Sequence, residues 1–287
     1  MTTDIKNILV ALDLSEIDET LITYAAFLAD TLKAEKVYFV HNIKKYEISD
    51  LFEDELGDVN IEESIGEELN EKVTALFKSK TEWEVLISND TYTESLIAYI
   101  VNKYGIHLTL VGNKNRVKGT GVVSGKLLRM LRCHILTLPK NSAPKVKNIW
   151  IGTDFSNASK RSFVMAREVG KATSAQIKAI HIYNVPLQFA PYLPKETLVP
   201  TVEKHTNEKG RKFMKKIPGG AENIPLEIIP GRTSSITENL IEHGKKEKTD
   251  LFFVSDKGGN TFSSLLVGSV TEELFSEDLH FPLWVCK

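Results

Sequence analysis

Glycine residues and hydroxyl-bearing residues in the second half of this sequence have the spacing of an anion-binding loop. The apolar run 251–254 is followed by Ser255 and Gly258, and after nine further residues by Gly268 and Ser269. Glycines allow the main chain to approach an anion closely, and a helix that starts at 268–269 presents N–H groups and a partial positive charge. This spacing predicts a cradle for a phosphate group.

A weaker version of the same arrangement occurs in the first half. It has Gly112, Asn115 and Gly125-Lys126, so a middle glycine and the final hydroxyl are missing. Lys126 could act as a point charge for a phosphate, but the favoured interpretation is a degenerate site whose half of the chain serves as a packing partner. The glycines of either half could also be simple turn residues.

Acidic residues follow the first predicted strand of each half. Asp13 ends the apolar run near 5–13, and Asp154 ends the run near 147–154. The Asp154 carboxylate could accept hydrogen bonds from a ribose or an adenine, or it could cap a helix that begins near Asn157. Ser269 and Thr271 could likewise be helix caps, so both interpretations stay open.

An internal repeat organises these positions. Residues 5–15 match residues 146–156 at an offset of 141, and Gly125 matches Gly268 at an offset of 143. The chain is therefore interpreted as a tandem duplication with domains at 1–141 and 145–287, joined by the proline-bracketed segment 139–144.

Each half alternates short β-rich runs with longer segments of helical periodicity. The predicted strands lie near 5–13, 36–41, 82–88, 107–112 and 134–138, and near 147–154, 177–184, 224–229, 250–255 and 282–286. The predicted helices lie near 18–33, 61–80, 93–104 and 124–132, and near 157–173, 201–217, 235–248 and 268–276. This alternation predicts an α/β fold with parallel sheets, in which ligands bind at the carboxyl ends of the strands.

Composition excludes several function classes. The chain has 287 residues, a formal net charge of −2 and a pI near 6.4, which argues against a nucleic-acid-binding protein. Its sequence contains no apolar run long enough to span a membrane and no signal-like start, so a cytoplasmic protein is expected. Cys133 and Cys286 have no metal-ligand spacing and are interpreted as buried packing residues.

Both halves resemble universal stress protein domains. The opening strand that ends in Asp13 or Asp154, the strand-end histidines His41 and His181, and the closing glycine loop carry this resemblance. It implies two doubly wound domains, each with a five-stranded parallel sheet of order 3-2-1-4-5. It also implies binding of ATP, with or without Mg²⁺, or of a related adenine nucleotide, mainly in the second half.

The candidate nucleotide-binding residues are Gly152, Thr153, Asp154, Ile182, Val254, Ser255, Lys257, Gly258, Gly268, Ser269, Val270 and Thr271. Because neither a general base nor a metal cluster accompanies them, the expected role is signalling rather than catalysis, with weak ATP hydrolysis left open. The alternative is a stress protein that binds no nucleotide and acts through protein contacts.

Charged segments between the second and third strands differ between the halves. Residues 47–71 carry eleven Asp or Glu and no Lys or Arg, whereas 203–216 holds six Lys or Arg residues. Such runs are ordinarily solvated helix faces, but they could also attract one another, between the halves or between molecules, and so support self-association.

Overall fold

The computed structural model of the chain describes residues 4–43, 60–113, 121–184, 195–231, 235–259 and 267–287. The chain divides into two compact units, Met1–Lys145 and Val146–Lys287. Asn115 and the first part of the acidic segment, 47–59, lie outside the described residues.

The first unit alternates strands and helices. Its order is β1 (Asn7–Leu12), α1 (Ile17–Leu32), β2 (Lys36–Asn42), α2 (Ile61–Leu76), β3 (Glu82–Ser88), α3 (Thr93–Lys103), β4 (Leu108–Asn113), α4 (Gly121–Met130) and β5 (His134–Pro139).

The second unit repeats this order. It runs β6 (Asn148–Gly152), α5 (Lys160–Thr173), β7 (Gln176–Tyr183), α6 (Lys195–Met214), β8 (Leu226–Pro230), α7 (Ile236–Lys246), β9 (Leu251–Ser255), α8 (Ser269–Ser276) and β10 (Leu283–Cys286).

Both sheets have the topology that the resemblance implies. The first unit has the strand order β3-β2-β1-β4-β5, and the second has β8-β7-β6-β9-β10. The neighbouring strands within each unit are parallel. The predicted fold class is therefore confirmed, and the strand order reverses between β1 and β4 and between β6 and β9.

Most strands and helices begin and end close to the predicted residues. The strands could be located because continuous apolar runs are typical of buried parallel strands. Three helix starts differ. Helix α4 begins at Gly121 rather than near 124, α5 at Lys160 rather than near 157, and α6 at Lys195 rather than 201. Helix α6 continues through Pro200, which has no N–H for the regular intrahelical hydrogen bond at that position.

Aromatic side chains fill the core on the face covered by α5 and α6. The rings of Phe163 and Phe213 lie 5.6 Å apart and join these two helices. Within the sheet, Phe253 on β9 stacks on Trp284 of β10 at 5.2 Å. Cys133 and Cys286 are buried, as predicted, and burial raises the pKa of the Cys286 thiol to about 12.

The charged helices expose most of their charges. On α2 the glutamates at 62, 63, 67, 68 and 71 are exposed, and on α6 and just beyond it so are the basic residues at 204, 209, 211, 212, 215 and 216. Within the described part of the chain, every helix is too short or too polar to cross a lipid bilayer.

Candidate functional site

The second unit contains a cavity where the strand order reverses. It has a volume of about 290 Å³ and lies at the carboxyl ends of β6, β7 and β9. All twelve sequence-predicted candidates line it: Gly152, Thr153, Asp154, Ile182, Val254, Ser255, Lys257, Gly258, Gly268, Ser269, Val270 and Thr271. Ser159, Ile180, His181, Ile236, Leu240 and Gly259 also line it, and sequence reasoning did not include them in the site.

The glycine loop closes on itself through its backbone. The Gly268 N–H donates to the Asp256 carbonyl at 2.8 Å. A Cβ at Gly268 would lie 3.2 Å from the Gly258 nitrogen, closer than nine in ten real Cβ contacts. Gly268 has a φ of −65°, so its backbone would accept any residue. The absence of a side chain is needed here for close approach rather than for an unusual conformation.

Helix α8 points its N-terminus into the cavity without a side-chain cap. Gly268 is the N-cap residue, and the first intrahelical bond runs from Glu272 N–H to the Gly268 carbonyl at 2.9 Å. The Thr271 hydroxyl instead donates to the Ser255 carbonyl at 2.7 Å. The alternative that Ser269 and Thr271 cap this helix is therefore wrong, and residues 269–271 present the N–H groups that precede the first helical bond.

Ser255 is aligned with Gly112 of the first half and ends the fourth strand of its unit. Its side chain turns back along the loop, because the hydroxyl donates to the Lys257 carbonyl at 2.7 Å. Ser255 is buried and lines the cavity floor. The hydroxyl thus fixes the turn that carries Lys257 and Gly258 rather than extending into the open part of the cavity.

Asp154 connects the end of β6 to the glycine loop. Its Oδ1 accepts the Ser156 N–H at 2.9 Å, and its Oδ2 accepts the Gly259 N–H at 2.7 Å. The alternative that Asp154 caps α5 is wrong, because that helix begins at Lys160 after Ser159. The exposed carboxylate holds the two sides of the cavity rim together.

A set of polar groups supports the cavity beside Asp154. Thr153 Oγ1 accepts the Phe155 N–H at 3.1 Å and lies 3.0 Å from the Ser159 hydroxyl. His181 Nδ1 lies 2.7 Å from the Thr153 carbonyl, and its ring stacks on Phe155 at 4.1 Å. Because a carbonyl can only accept, Nδ1 carries the proton in this pair.

The state of His181 matters because its ring faces the cavity. Burial lowers the pKa of His181 below its usual value, so the imidazole is neutral at pH 7. With Nδ1 protonated, the lone pair of the neutral ring is on Nε2, which can accept a hydrogen bond from an amino or hydroxyl group. The sequence identified His181 only as a strand-end residue, and the structure adds a place in the cavity lining.

An apolar wall forms the remaining side of the cavity. Ile182 and Val254 were expected there, whereas Ile180 on β7 and Ile236 and Leu240 on α7 were not. Helix α7 is fixed by a capping box, in which the Ser235 hydroxyl accepts the Glu238 N–H and the Glu238 carboxylate accepts the Ser235 N–H. This wall is suited to the flat face of an aromatic base.

Charges around the loop are partly paired. Asp256 is buried, and its two carboxylate oxygens contact Arg161 at 3.4 Å and Lys287 at 3.7 Å. Lys257 is half-buried and lines the cavity. In the ranges for which coordinates are described, no group of three or more His, Cys, Asp or Glu side chains is arranged to hold a metal ion.

The corresponding positions of the first unit make contacts within that unit. Lys126, aligned with Ser269, forms an ion pair with the buried Glu94 at 2.5 Å. A Cβ at Gly112 would lie 2.8 Å from Ile17 Cδ1. The Lys126 ammonium, which the sequence suggested as a point charge for phosphate, is therefore already compensated.

Comparison with known proteins identifies the family. The universal stress protein family model matches residues 145–287. A universal stress protein of Methanocaldococcus jannaschii is 27% identical over 165 residues, which cover 56% of this chain and 94% of that protein. The family recognition made from the sequence motifs is thus confirmed.

Solved structures resemble the fold over almost the whole chain. A putative universal stress protein from Pseudomonas aeruginosa is 17% identical with a TM-score of 0.67, covering 99% of this chain and 94% of its own. A universal stress protein from Archaeoglobus fulgidus is 17% identical with a TM-score of 0.66, covering 99% of this chain and 97% of its own. At this identity the likeness concerns the fold.

Proposed function

Because the chain belongs to the universal stress protein family through residues 145–287, we propose that its second unit binds ATP or a related adenine nucleotide and acts in signalling rather than catalysis. The nucleotide would lie in the cavity at the ends of β6, β7 and β9. Mg²⁺ would accompany a di- or triphosphate through the phosphate oxygens.

The observation that carries this proposal is the convergence of three kinds of surface on one cavity. An uncapped helix N-terminus and the glycine loop offer N–H groups to a phosphate. Asp154 and the neutral His181 offer acceptors for hydroxyl or amino groups. Ile182, Ile236 and Leu240 offer an apolar face for a base. A nucleotide has these same three parts.

The division of roles within the cavity follows from where these surfaces lie. The phosphate end would lie against Gly258, Gly268 and Ser269, whose backbone can approach it closely. The base would lie against α7, because aromatic rings favour contact with Ile and Leu side chains over water. The ribose hydroxyls would then fall between these ends, near Asp154.

Calorimetric titration with ATP, with and without Mg²⁺, tests the proposal. The ATP affinities of two variants are compared, each with a valine at one of the aligned glycines, Gly268 and Gly125. In Gly268→Val the new Cβ displaces the Gly258 amide, and binding should weaken by at least about tenfold, the scale of one lost hydrogen bond to a charged group. Gly125→Val is the matched control, because a Cβ there meets no atom within 4 Å. Its affinity should stay that of the wild type.

Other outcomes would contradict the proposal. If no heat of binding is measured at millimolar ATP, ADP and AMP, the second unit does not bind adenine nucleotides, and action through protein contacts is favoured. An affinity that falls equally in the two glycine variants would locate binding elsewhere. Steady phosphate release that disappears in Asp154→Ala would replace signalling with hydrolysis.

A further inference from the structure

Two helices of the second unit supply different parts of the cavity lining. Helix α7 contributes Ile236 and Leu240 to the apolar wall, and α8 begins with residues 269–271, whose N–H groups precede the first helical bond. The two helices pack against each other. A ligand with an apolar end and an anionic end would contact both helices, so both contacts can form together only if α7 is correctly placed relative to α8.

A hydrogen bond joins the first turn of α7 to the second turn of α8. The Thr237 hydroxyl donates to Glu273 Oε2 at 2.6 Å. Thr237 directly follows Ile236 and is only 1% exposed, so its hydroxyl has little access to water and this bond satisfies it. Because the acceptor is a carboxylate, the bond is stronger than one between two neutral groups.

The starts of these two helices differ in their capping. Ser235 and Glu238 form the capping box of α7, so the first N–H groups of that helix are bonded within it. Helix α8 has no side-chain cap. Glu273 lies one turn beyond Ser269, and its carboxylate therefore bonds to α7 without occupying the N–H groups of residues 269–271.

The first unit joins the aligned helices at a different position. Glu94 of α3 is aligned with Thr237, and it pairs with Lys126, which is aligned with Ser269. Met130 is aligned with Glu273 and is exposed. The contact between the two helices thus lies one turn further along the last helix in the second unit, away from the residues that line the cavity.

We propose that the Thr237–Glu273 hydrogen bond is a positioning contact of the nucleotide site, an inference that rests on the function proposed above. The bond fixes α7 and α8 relative to each other. One ligand can then place its base against Ile236 and Leu240 while its phosphate accepts from the N–H groups of residues 269–271. Without the bond, a ligand that contacts both helices must also order them, which weakens its binding, whereas a ligand that contacts only α7 does not.

Titration of the full chain with ATP compares the wild type with Thr237→Val and Thr237→Ser. Valine has nearly the shape of threonine but no donor, so the ATP affinity should fall about fivefold, the scale of one hydrogen bond. Serine keeps the hydroxyl and should restore the wild-type affinity. Glu94→Gln, at the aligned position of the first unit, is the control and should leave the ATP affinity unchanged. An equal fall in Thr237→Ser or in Glu94→Gln would overturn the positioning role.

Adenosine distinguishes positioning from a general disturbance of the site. It carries the base and the ribose but no phosphate, so it contacts α7 without reaching the start of α8. Its affinity, measured by its displacement of ATP, should be the same in the wild type and in Thr237→Val. An equal loss of affinity for adenosine and ATP, or an unchanged ATP affinity in Thr237→Val, overturns the positioning role but leaves the nucleotide function intact. If the wild type binds no ATP at millimolar concentration, the nucleotide function itself fails.

A double-mutant cycle with Glu273→Met tests whether the bond is the cause. This substitution gives the aligned residue of the first unit and removes both the acceptor and a negative charge. The loss of charge acts on ATP in either background, whereas the hydrogen bond exists only when Thr237 is present. Glu273→Met should therefore lower the ratio of ATP to adenosine affinity more in the wild-type background than in Thr237→Val. Strictly additive effects would overturn the proposal.

Discussion

The two units share a backbone framework but differ in the side chains at the corresponding sites. After the first strand of each unit the chain passes through a left-handed residue, Leu14 at φ 62° and Phe155 at φ 60°. In each unit a strand-end histidine, His41 or His181, bonds through Nδ1 to the carbonyl just before this turn. The framework that positions a loop is thus retained independently of the loop's chemistry.

The first difference concerns the space at the end of the fourth strand. In the first unit Ile17 lies so close to Gly112 that a Cβ would approach Ile17 Cδ1 to 2.8 Å. The aligned residues of the second unit are Ala158 and Ser255. A large residue and a glycine in the first unit have been exchanged for a small residue and a serine in the second, and of these Ser255 lines the cavity.

The second difference concerns the start of the helix after the loop. Lys126 pairs with Glu94 in the first unit, whereas the aligned positions of the second unit hold Ser269 and Thr237. The Thr237 hydroxyl donates to Glu273, further along α8. The same fold can therefore use these positions for an internal ion pair or leave the helix start available to a ligand.

The largest predicted difference in stability between the two units comes from a buried carboxylate in the first unit. Asp18 is fully buried and accepts the N–H groups of Asp13 and Leu14 at 3.2 and 2.9 Å, whereas Ser159 stands at the aligned position. Burial raises the pKa of Asp18 to about 6 from 3.8, against the opposing effect of Lys72. Because the folded state holds the proton more tightly, this group stabilises the fold below about pH 4, and the contribution is lost as the pH rises to about 6.

The expected result is that wild-type stability falls by roughly 2–3 kcal/mol relative to Asp18→Asn between pH 4 and pH 7. Urea unfolding of the two proteins, followed by tryptophan fluorescence at each pH, measures this difference. Curves of unfolding free energy against pH that run parallel in the two proteins would contradict it.

Exchange of the residues at the end of the fourth strand tests the packing difference. Gly112→Ser places a Cβ against Ile17 and should destabilise the first unit by about 2 kcal/mol. Adding Ile17→Ala recreates the pair found in the second unit and should remove the steric conflict. A double-mutant cycle in urea measures the coupling, and strictly additive effects would show that the two residues do not conflict.

Much of this framework could be predicted from sequence, because its signals are local. Apolar runs located the strands, and the spacing of Gly258 and Gly268 located the loop. The start of α6 was predicted too late, because the helix continues through Pro200, a residue that lacks the N–H for a regular intrahelical bond.

The missing cavity residues illustrate what sequence could not supply. Ile236 and Leu240 are four residues apart at the start of α7, a spacing that also describes any buried helix face. Only the path of α7 across the sheet brings them to the cavity. The roles of Asp154 and Thr271 were undecided for a related reason, because a capping bond and a loop contact use the same side-chain atoms.

The ion pair between Lys126 and Glu94 in the first unit is expected to have a smaller effect on stability. Lys126→Ser removes the cation from Glu94, which is only 8% exposed, and should destabilise the first unit by about 1 kcal/mol. Adding Glu94→Thr, which gives the residue pair of the second unit, should recover most of this loss. Ser269→Ala is the control in the second unit, where the side chain is exposed. An equal change of unfolding free energy in Lys126→Ser and Ser269→Ala would contradict the assignment.

Helix capping gives the smallest predicted effect. Ser235 caps α7 with a reciprocal hydrogen-bonded box, whereas Tyr92, its aligned residue, begins α3 without a side-chain cap. Tyr92 is 61% exposed and has the extended backbone of an N-cap residue, so Tyr92→Ser should lose little packing and stabilise the first unit by about 0.5 kcal/mol. Ser235→Ala should destabilise the second unit by about 1 kcal/mol. Thermal unfolding measures both changes, and a loss of stability in Tyr92→Ser would mean that the exposed ring makes a contact that a serine cannot replace.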